Sequence, residues 1–229
     1  MKSNLHYISR KRRVKEDKRF VSGTGNYVQD VVLPNMKHAA VLQSPYPNAR
    51  ILSIDKVEAE AMPGVHIVLT GEELAEDTNP IRLGLKLPEV KWYPLAVGTA
   101  RYVGEWVAIV VADNPYIAED ALELIDVDYE PLEPIMDPEE AFEEKTRLVH
   151  PGHGSNVLYH GHFTWGEVDD DFAAADESLS FRARWGRSST VPIETFGALA
   201  QWDKGTEILD LWASIQMPNF VELLSSTLR

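Results

Sequence analysis

Two stretches of the chain repeat one order of apolar and polar positions. In the first, Ala49-Arg50-Ile51-Leu52-Ser53-Ile54 reads as a strand. Asp55 stands three residues before Glu58, the spacing of a capping box, so a short helix is predicted to run to Met62 and to stop at Pro63-Gly64. Val65-His66-Ile67-Val68-Leu69 crowds β-branched residues between turn signals and predicts a buried strand. Thr70 and Glu73 repeat the capping-box spacing. In the second stretch, Trp106 to Ala112 is a strongly apolar strand, and Asn114-Pro115 is an N-cap followed by proline at the first helical position. Ala118, Ala121, Leu122 and Ile125 then fall on one helical face. Ile125, Val127 and Tyr129 alternate with Asp126, Asp128 and Glu130, giving a strand with one wet face that ends at Pro131 and Pro134.

Strand–helix–strand twice, with an earlier strand over 37–44, predicts an α+β sandwich with helices on one side of a sheet. Residues 75–100 between the two stretches are rich in proline and glycine, including Gly84 and Pro88, and read as a loop. Asp137-Pro138-Glu139-Glu140 opens a further short helix through Phe142. Pro151, Gly152 and Gly154 accumulate in a boundary over 144–156. Beyond it Phe181, Ala183 and Trp185 alternate onto one face, and residues 198–202 and 208–212 flank Asp203-Lys204-Gly205 as a hairpin. Val221, Leu224 and Leu228 share a helical face near the last residue given, an amphipathic helix whose expected partner lies on other sequence.

Composition narrows the function. The 229 residues carry a net charge of −14 and include 44% hydrophobic residues, enough for a real core. Eight basic side chains nevertheless crowd residues 1–19, so residues 1–17 read as a basic tail on a markedly acidic body. Such a body repels phosphate backbones, which argues against nucleic acid as a partner. Cysteine is absent, excluding disulfides, thiolate nucleophiles and any iron–sulfur cluster held by these residues. No apolar run reaches the roughly 18–20 residues that cross a bilayer, so no membrane partner is expected. Arg12-Arg13 resembles an export signal, but the polar Lys15-Glu16-Asp17-Lys18-Arg19 follows where an apolar stretch is needed, and a cytoplasmic location is expected.

Four histidines, His150, His153, His160 and His162, lie within thirteen residues. They lack a helical i, i+4 pair and suitably arranged carboxylates, so a polar linker is favoured over a metal site. Gly23-Thr24-Gly25 lacks a third glycine and a preceding strand, and reads as a turn. Asp169-Asp170-Asp171 fits the first turn of a helix better than a cation site. Glu194 is a carboxylate in the otherwise apolar Val191-Pro192-Ile193-Glu194-Thr195-Phe196-Gly197. Burial would raise its pKa or demand a partner. With no second acid, histidine or nucleophile nearby, a carboxylate accepting backbone N–H groups is favoured over a general base. Gln216, in Ser214-Ile215-Gln216-Met217-Pro218, can donate and accept hydrogen bonds to a ligand or serve in an ordinary loop or cap.

Several separately spaced motifs resemble one family. Arg13 to Tyr27, with Asp30, is similar to its opening, a basic–x–Glu-Asp run followed by Gly-x-Gly-x-Tyr. Ser44 to Asp55 matches "SPxxxARIxxID", Pro63 to Gly71 matches "PGVxxVxTG", and Val103 to Ala108 resembles "VGEPVA". Ala118 to Ala121 with Val127 to Leu132 resembles "AxDAxxxVxVxYEPL", while Pro192-Ile193-Glu194 and Gln216-Met217-Pro218 fit "PxE" and "QxP". The resemblance is to the N-terminal part of the molybdopterin-binding large subunit of the xanthine dehydrogenase / aldehyde oxidase / carbon monoxide dehydrogenase group. Departures are Tyr46 and Asn48 for two histidines, Trp106 for a proline and Glu167 for an aspartate. The family's Gly-Gly-x-Phe-Gly loop and its downstream catalytic glutamate are not in these residues.

This resemblance implies an α/β-hammerhead domain over 18–143, a linker over 144–156, and an incomplete α+β molybdopterin-binding domain over 157–229. It implies cofactor contacts through Glu194, Thr195, Phe196, Gly197 and Gln216, with no catalytic residue in this stretch. The complete enzyme would be a molybdenum hydroxylase oxidising a C–H centre of an aldehyde or N-heterocycle, a small-molecule substrate. Molybdopterin would be shared with a remaining molybdopterin-binding chain, and [2Fe–2S] centres and FAD would lie on an iron–sulfur subunit and a flavin subunit. The present chain is expected to be inactive alone. A non-catalytic scaffold or binding module retaining the hammerhead fold is the alternative.

Overall fold

A computed structural model describes residues 14–81, 90–186, 188–189, 191–218 and 227–228. In chain order the elements are α1 (Asp17–Val21), β1 (His38–Gln43), β2 (Ala49–Asp55), α2 (Val57–Ala61), β3 (Val65–Thr70), α3 (Gly71–Asp77), β4 (Thr99–Ala100), β5 (Trp106–Ala112), α4 (Pro115–Leu122), β6 (Asp126–Pro131), α5 (Pro138–Glu143), α6 (Val168–Ala174), β7 (Ala198–Asp203) and β8 (Ile208–Ala213). The mixture is α+β, as expected. Most of the basic tail, Gly84 and Pro88 of the loop, and Val221 and Leu224 of the terminal helix lie outside the described residues. Two compact units are present, one formed by residues 35–185 with 218–229, the other by 1–34 with 186–217.

The larger unit holds two three-stranded sheets, ordered β1-β5-β3 and β4-β2-β6, rather than the single sheet expected. Apolar alternation marks which residues form strands but does not name their neighbours, so β2 pairs with β6 while β3 joins β5. Central β5 buries Val107, Ala108, Val110 and Ala112 completely. That continuous apolar run is the mark of a strand covered on both faces. Ala59 of α2, Val68 of β3, Ala121 of α4 and Ile125 complete the core, and Ile54 and Val127 of the second sheet pack against it. The α4 face predicted from spacing is therefore the buried one. Edge strand β3 is only half buried, because Val68 and Thr70 face inward while His66 and Ile67 are exposed.

Local side-chain caps account for the starts of α3, α4 and α5. Asn114 Oδ1 accepts the Ile117 N–H at 3.0 Å. Asp137 Oδ1 accepts the N–H groups of Glu139 and Glu140 at 2.7 and 3.3 Å. Thr70 and Glu73 form the expected reciprocal capping box. The Asp55–Glu58 box does not form. Asp55 is the last residue of β2, its Oδ1 takes the Val57 N–H at 3.1 Å, and Lys56 occupies the cap position. The Lys56 ammonium instead reaches the Val68 carbonyl at 2.8 Å and Glu73 Oε1 at 2.6 Å. Pro63-Gly64 ends this turn as expected, with Gly64 at φ +91°. The alternation over 180–185 makes no strand; these residues are exposed and irregular.

In the smaller unit, β7 and β8 form an antiparallel hairpin pairing Ala198 with Ala213 through Asp203 with Ile208, as the sequence predicts. Residues 14–34 contribute α1, a turn with Gly23 at φ +71°, and a 3-10 turn over Val28–Asp30.

Candidate functional site

The candidate site residues of the smaller unit sit at the mouth of its hairpin. Its last rung is extended by Ser214, whose N–H donates to the Gly197 carbonyl at 3.0 Å. The Ser214 hydroxyl accepts the Gly197 N–H at 2.9 Å and donates to the Thr195 carbonyl at 3.0 Å. One hydroxyl thus fixes the backbone of 195–197 from both sides.

The other brace comes from the 3-10 turn. Glu194 Oε1 accepts the Val28 N–H at 2.9 Å, and Gln29 Nε2 donates to the Thr195 hydroxyl at 3.2 Å. A Cβ on Gly197 would stand 3.4 Å from the Val28 side chain, so the glycine permits a close approach. The half-buried Glu194 is therefore a carboxylate anchored to backbone, the reading favoured from sequence. Thr195, Phe196 and Gln216 are exposed, with the Phe196 ring 69% accessible. Among the described residues nothing hydrogen-bonds to the Gln216 amide.

Three participants escaped sequence reasoning. Val28 and Gln29 act from 166 residues away, a distance that no local pattern bridges. Ser214 could have been found by extending the hairpin register one pair beyond Ala198–Ala213.

The histidine-rich stretch does different work. His150 packs edge-on against Trp92, with centroids 6.3 Å apart, and burial, then the nearby Arg101 cation, hold its pKa below the ordinary value. His153 Nε2 lies 3.1 Å from the Val157 carbonyl, and His162 Nε2 lies 2.8 Å from the Thr164 hydroxyl. Among the described residues no three histidines, aspartates or glutamates converge on a metal position. Asp169, Asp170 and Asp171 occupy the first turn of α6.

The family is decided by two consecutive sequence matches. Residues 22–133 match the aldehyde oxidase and xanthine dehydrogenase a/b hammerhead domain, and residues 149–228 match the molybdopterin cofactor-binding domain. The chain belongs to the aldehyde oxidase and xanthine dehydrogenase family. It is 34% identical over 214 residues to the nicotine 6-hydroxylase large subunit of Paenarthrobacter nicotinovorans, covering 92% of this chain and 26% of that one. It is 34% identical over 236 residues to the carbon monoxide dehydrogenase large chain of Hydrogenophaga pseudoflava, covering 93% and 28% respectively. The structure superposes on quinoline 2-oxidoreductase from Pseudomonas putida 86 with a TM-score of 0.81 at 38% identity, covering 92% of this chain and 27% of that one. The chain thus spans about a quarter of the length of these molybdenum hydroxylase relatives. No helix among the described residues is long and apolar enough to cross a membrane.

Proposed function

We propose that this chain supplies the hammerhead domain and the first part of the molybdopterin-binding domain of a molybdenum hydroxylase that oxidises a C–H centre of an aldehyde or N-heterocycle. Its domains would run over 18–143 and 157–229, joined by a linker over 144–156, after a basic tail over 1–17. The observation that carries this reading is the braced 194–197 segment, which fixes backbone from two sides while leaving Thr195, Phe196 and the Gln216 amide open.

The donor set suits a pterin. An amide that both donates and accepts complements the amide-like edge of such a ring, and an exposed aromatic side chain offers it an apolar face. Glu194, Thr195, Phe196, Gly197 and Gln216 would hold the cofactor. Glu194 also orients that segment through Oε1, which takes the Val28 N–H, as Ser214 does through its bonds to Thr195 and Gly197. When bound, molybdopterin supplies the two-electron redox chemistry. The remaining molybdopterin-binding polypeptide would complete the site. Electrons would leave through [2Fe–2S] centres and FAD on an iron–sulfur and a flavin subunit. The assembly would work in the cytoplasm, and the chain alone would not turn over.

Native mass spectrometry of the protein purified from its source, read with metal analysis, tests this. Co-purification with molybdenum, iron, flavin and a polypeptide resembling the rest of a large subunit is expected. A metal-free monomer without such a companion would overturn the reading in favour of a scaffold.

A further inference from the structure

Residues 159–185 are exposed without interruption. The segment has one helical stretch, the seven-residue α6, and no strand. Helices so short do not persist without packing. Six large aromatic side chains project from it. Phe163, Trp165 and Trp185 are 91–95% accessible, Phe181 is 79%, Phe172 is 66% and Tyr159 is 62%. Exposed apolar residues scattered singly are ordinary, but six aromatics on one unbroken exposed segment mark an interaction site. The segment carries Glu167, Asp169, Asp170, Asp171, Asp176 and Glu177 against Arg182 and Arg184. One end is tethered, since Arg182 Nη2 donates to Glu139 Oε2 of α5 at 2.7 Å.

We infer that residues 159–185 form an aromatic strap that lies across the remaining polypeptide of the large subunit, with Trp165 and Phe181 as principal anchors. The occupant follows from length. Relatives matched over nearly all of this chain are more than three times as long, so most of the surface available to cover the strap is sequence that this chain does not contain. The acidic residues between the anchors call for a basic rim on that surface. Trp and Phe in such positions dominate interface energetics because they bury large rigid areas. This inference rests on the functional reading above and assigns the surface through which the chain joins its complement.

The experiment uses the assembly purified from its source alongside the isolated full chain. Backbone amide exchange over 159–185 is expected to slow at least tenfold in the assembly, while β5 amides stay equally protected in both. The double variant Trp165→Glu/Phe181→Glu is expected to lower retention of the complementary polypeptide at least tenfold. Tyr116→Glu, at an aromatic on α4 that is 76% accessible, should leave retention unchanged. An assembly holding molybdenum and the complement with 159–185 still exchanging freely overturns the strap and spares the functional reading. Protection that grows with concentration in the isolated chain overturns it in favour of a second copy. Purification without the complement and without molybdenum overturns the functional reading, and the strap with it.

Discussion

The carboxylate of Glu194 accepts the backbone N–H of Val28 at 2.9 Å, tying a turn near the chain's beginning to the segment before β7. Glu194→Ala removes the acceptor and leaves a half-buried N–H without one. The cost is about 1–2 kcal/mol, roughly five- to thirtyfold in the exchange rate of the Val28 amide. Glu194→Gln keeps an acceptor and should lose less. Equal exchange in all three proteins would contradict the brace.

Gln216→Leu preserves side-chain volume and removes the amide. The hairpin, held by its own ladder, should keep its amide protection. Molybdenum occupancy of the assembly should fall, with a loss on the order of 1 kcal/mol, or about fivefold in affinity. Unchanged metal content across a titration of cofactor would remove Gln216 from the binding set.

Acid should loosen α3. Hydrogen bonding from the Lys56 ammonium, then from the Thr70 backbone, holds the Glu73 carboxyl below its ordinary 4.5. A depressed folded-state pKa contributes stability that is present above pH 4.5 and lost as pH falls through the lower value. For Lys56 burial is the largest influence and pulls downward, yet Glu73 and Glu60 outweigh it and raise the ammonium above 10.5. That contribution is present below pH 10.5 and is lost as pH rises through the higher folded-state value. Urea unfolding of Glu73→Gln against the parent should therefore show a deficit between these limits that shrinks towards acid. Thr70→Ala should cost about 1 kcal/mol through the lost cap. A deficit independent of pH would exclude the ion pair as its source.

Gly71 and Gly98 should respond differently to alanine. A Cβ on Gly71 would stand 1.9 Å from the Ala96 carbonyl oxygen, a backbone atom in the loop beside α3. Gly71→Ala is expected to destabilise by about 3 kcal/mol, the upper range for overpacking. Gly98 has φ +65° and nothing within 4 Å of a Cβ, so Gly98→Ala should cost only about 1 kcal/mol of backbone strain. Thermal unfolding with Gly98→Ala as the more damaging change would refute the close approach at residue 71.

What the sequence discloses depends on how far apart the interacting groups stand. The caps at Thr70, Asn114 and Asp137 and the 198–213 hairpin were legible because donor and acceptor, or paired strands, lie close along the chain. Strand partners were not, because apolar periodicity is silent about which edge a strand meets; β2 and β6 find each other across some seventy residues. Asp55 misled because it still belongs to β2, so the helix starts one residue later with Lys56 in the cap position, a difference decided by where the strand ends. At the candidate site the acid's role as an anchor was readable, while its recipient at Val28 was not.

That long tie also constrains how the protein is made. Residues 28 and 29 leave the ribosome early, but the oxygens that secure them arrive only with Glu194 and Thr195. The nascent chain must carry its opening stretch unfastened while the whole hammerhead region is synthesised, and a product cut short before residue 194 would never close the latch.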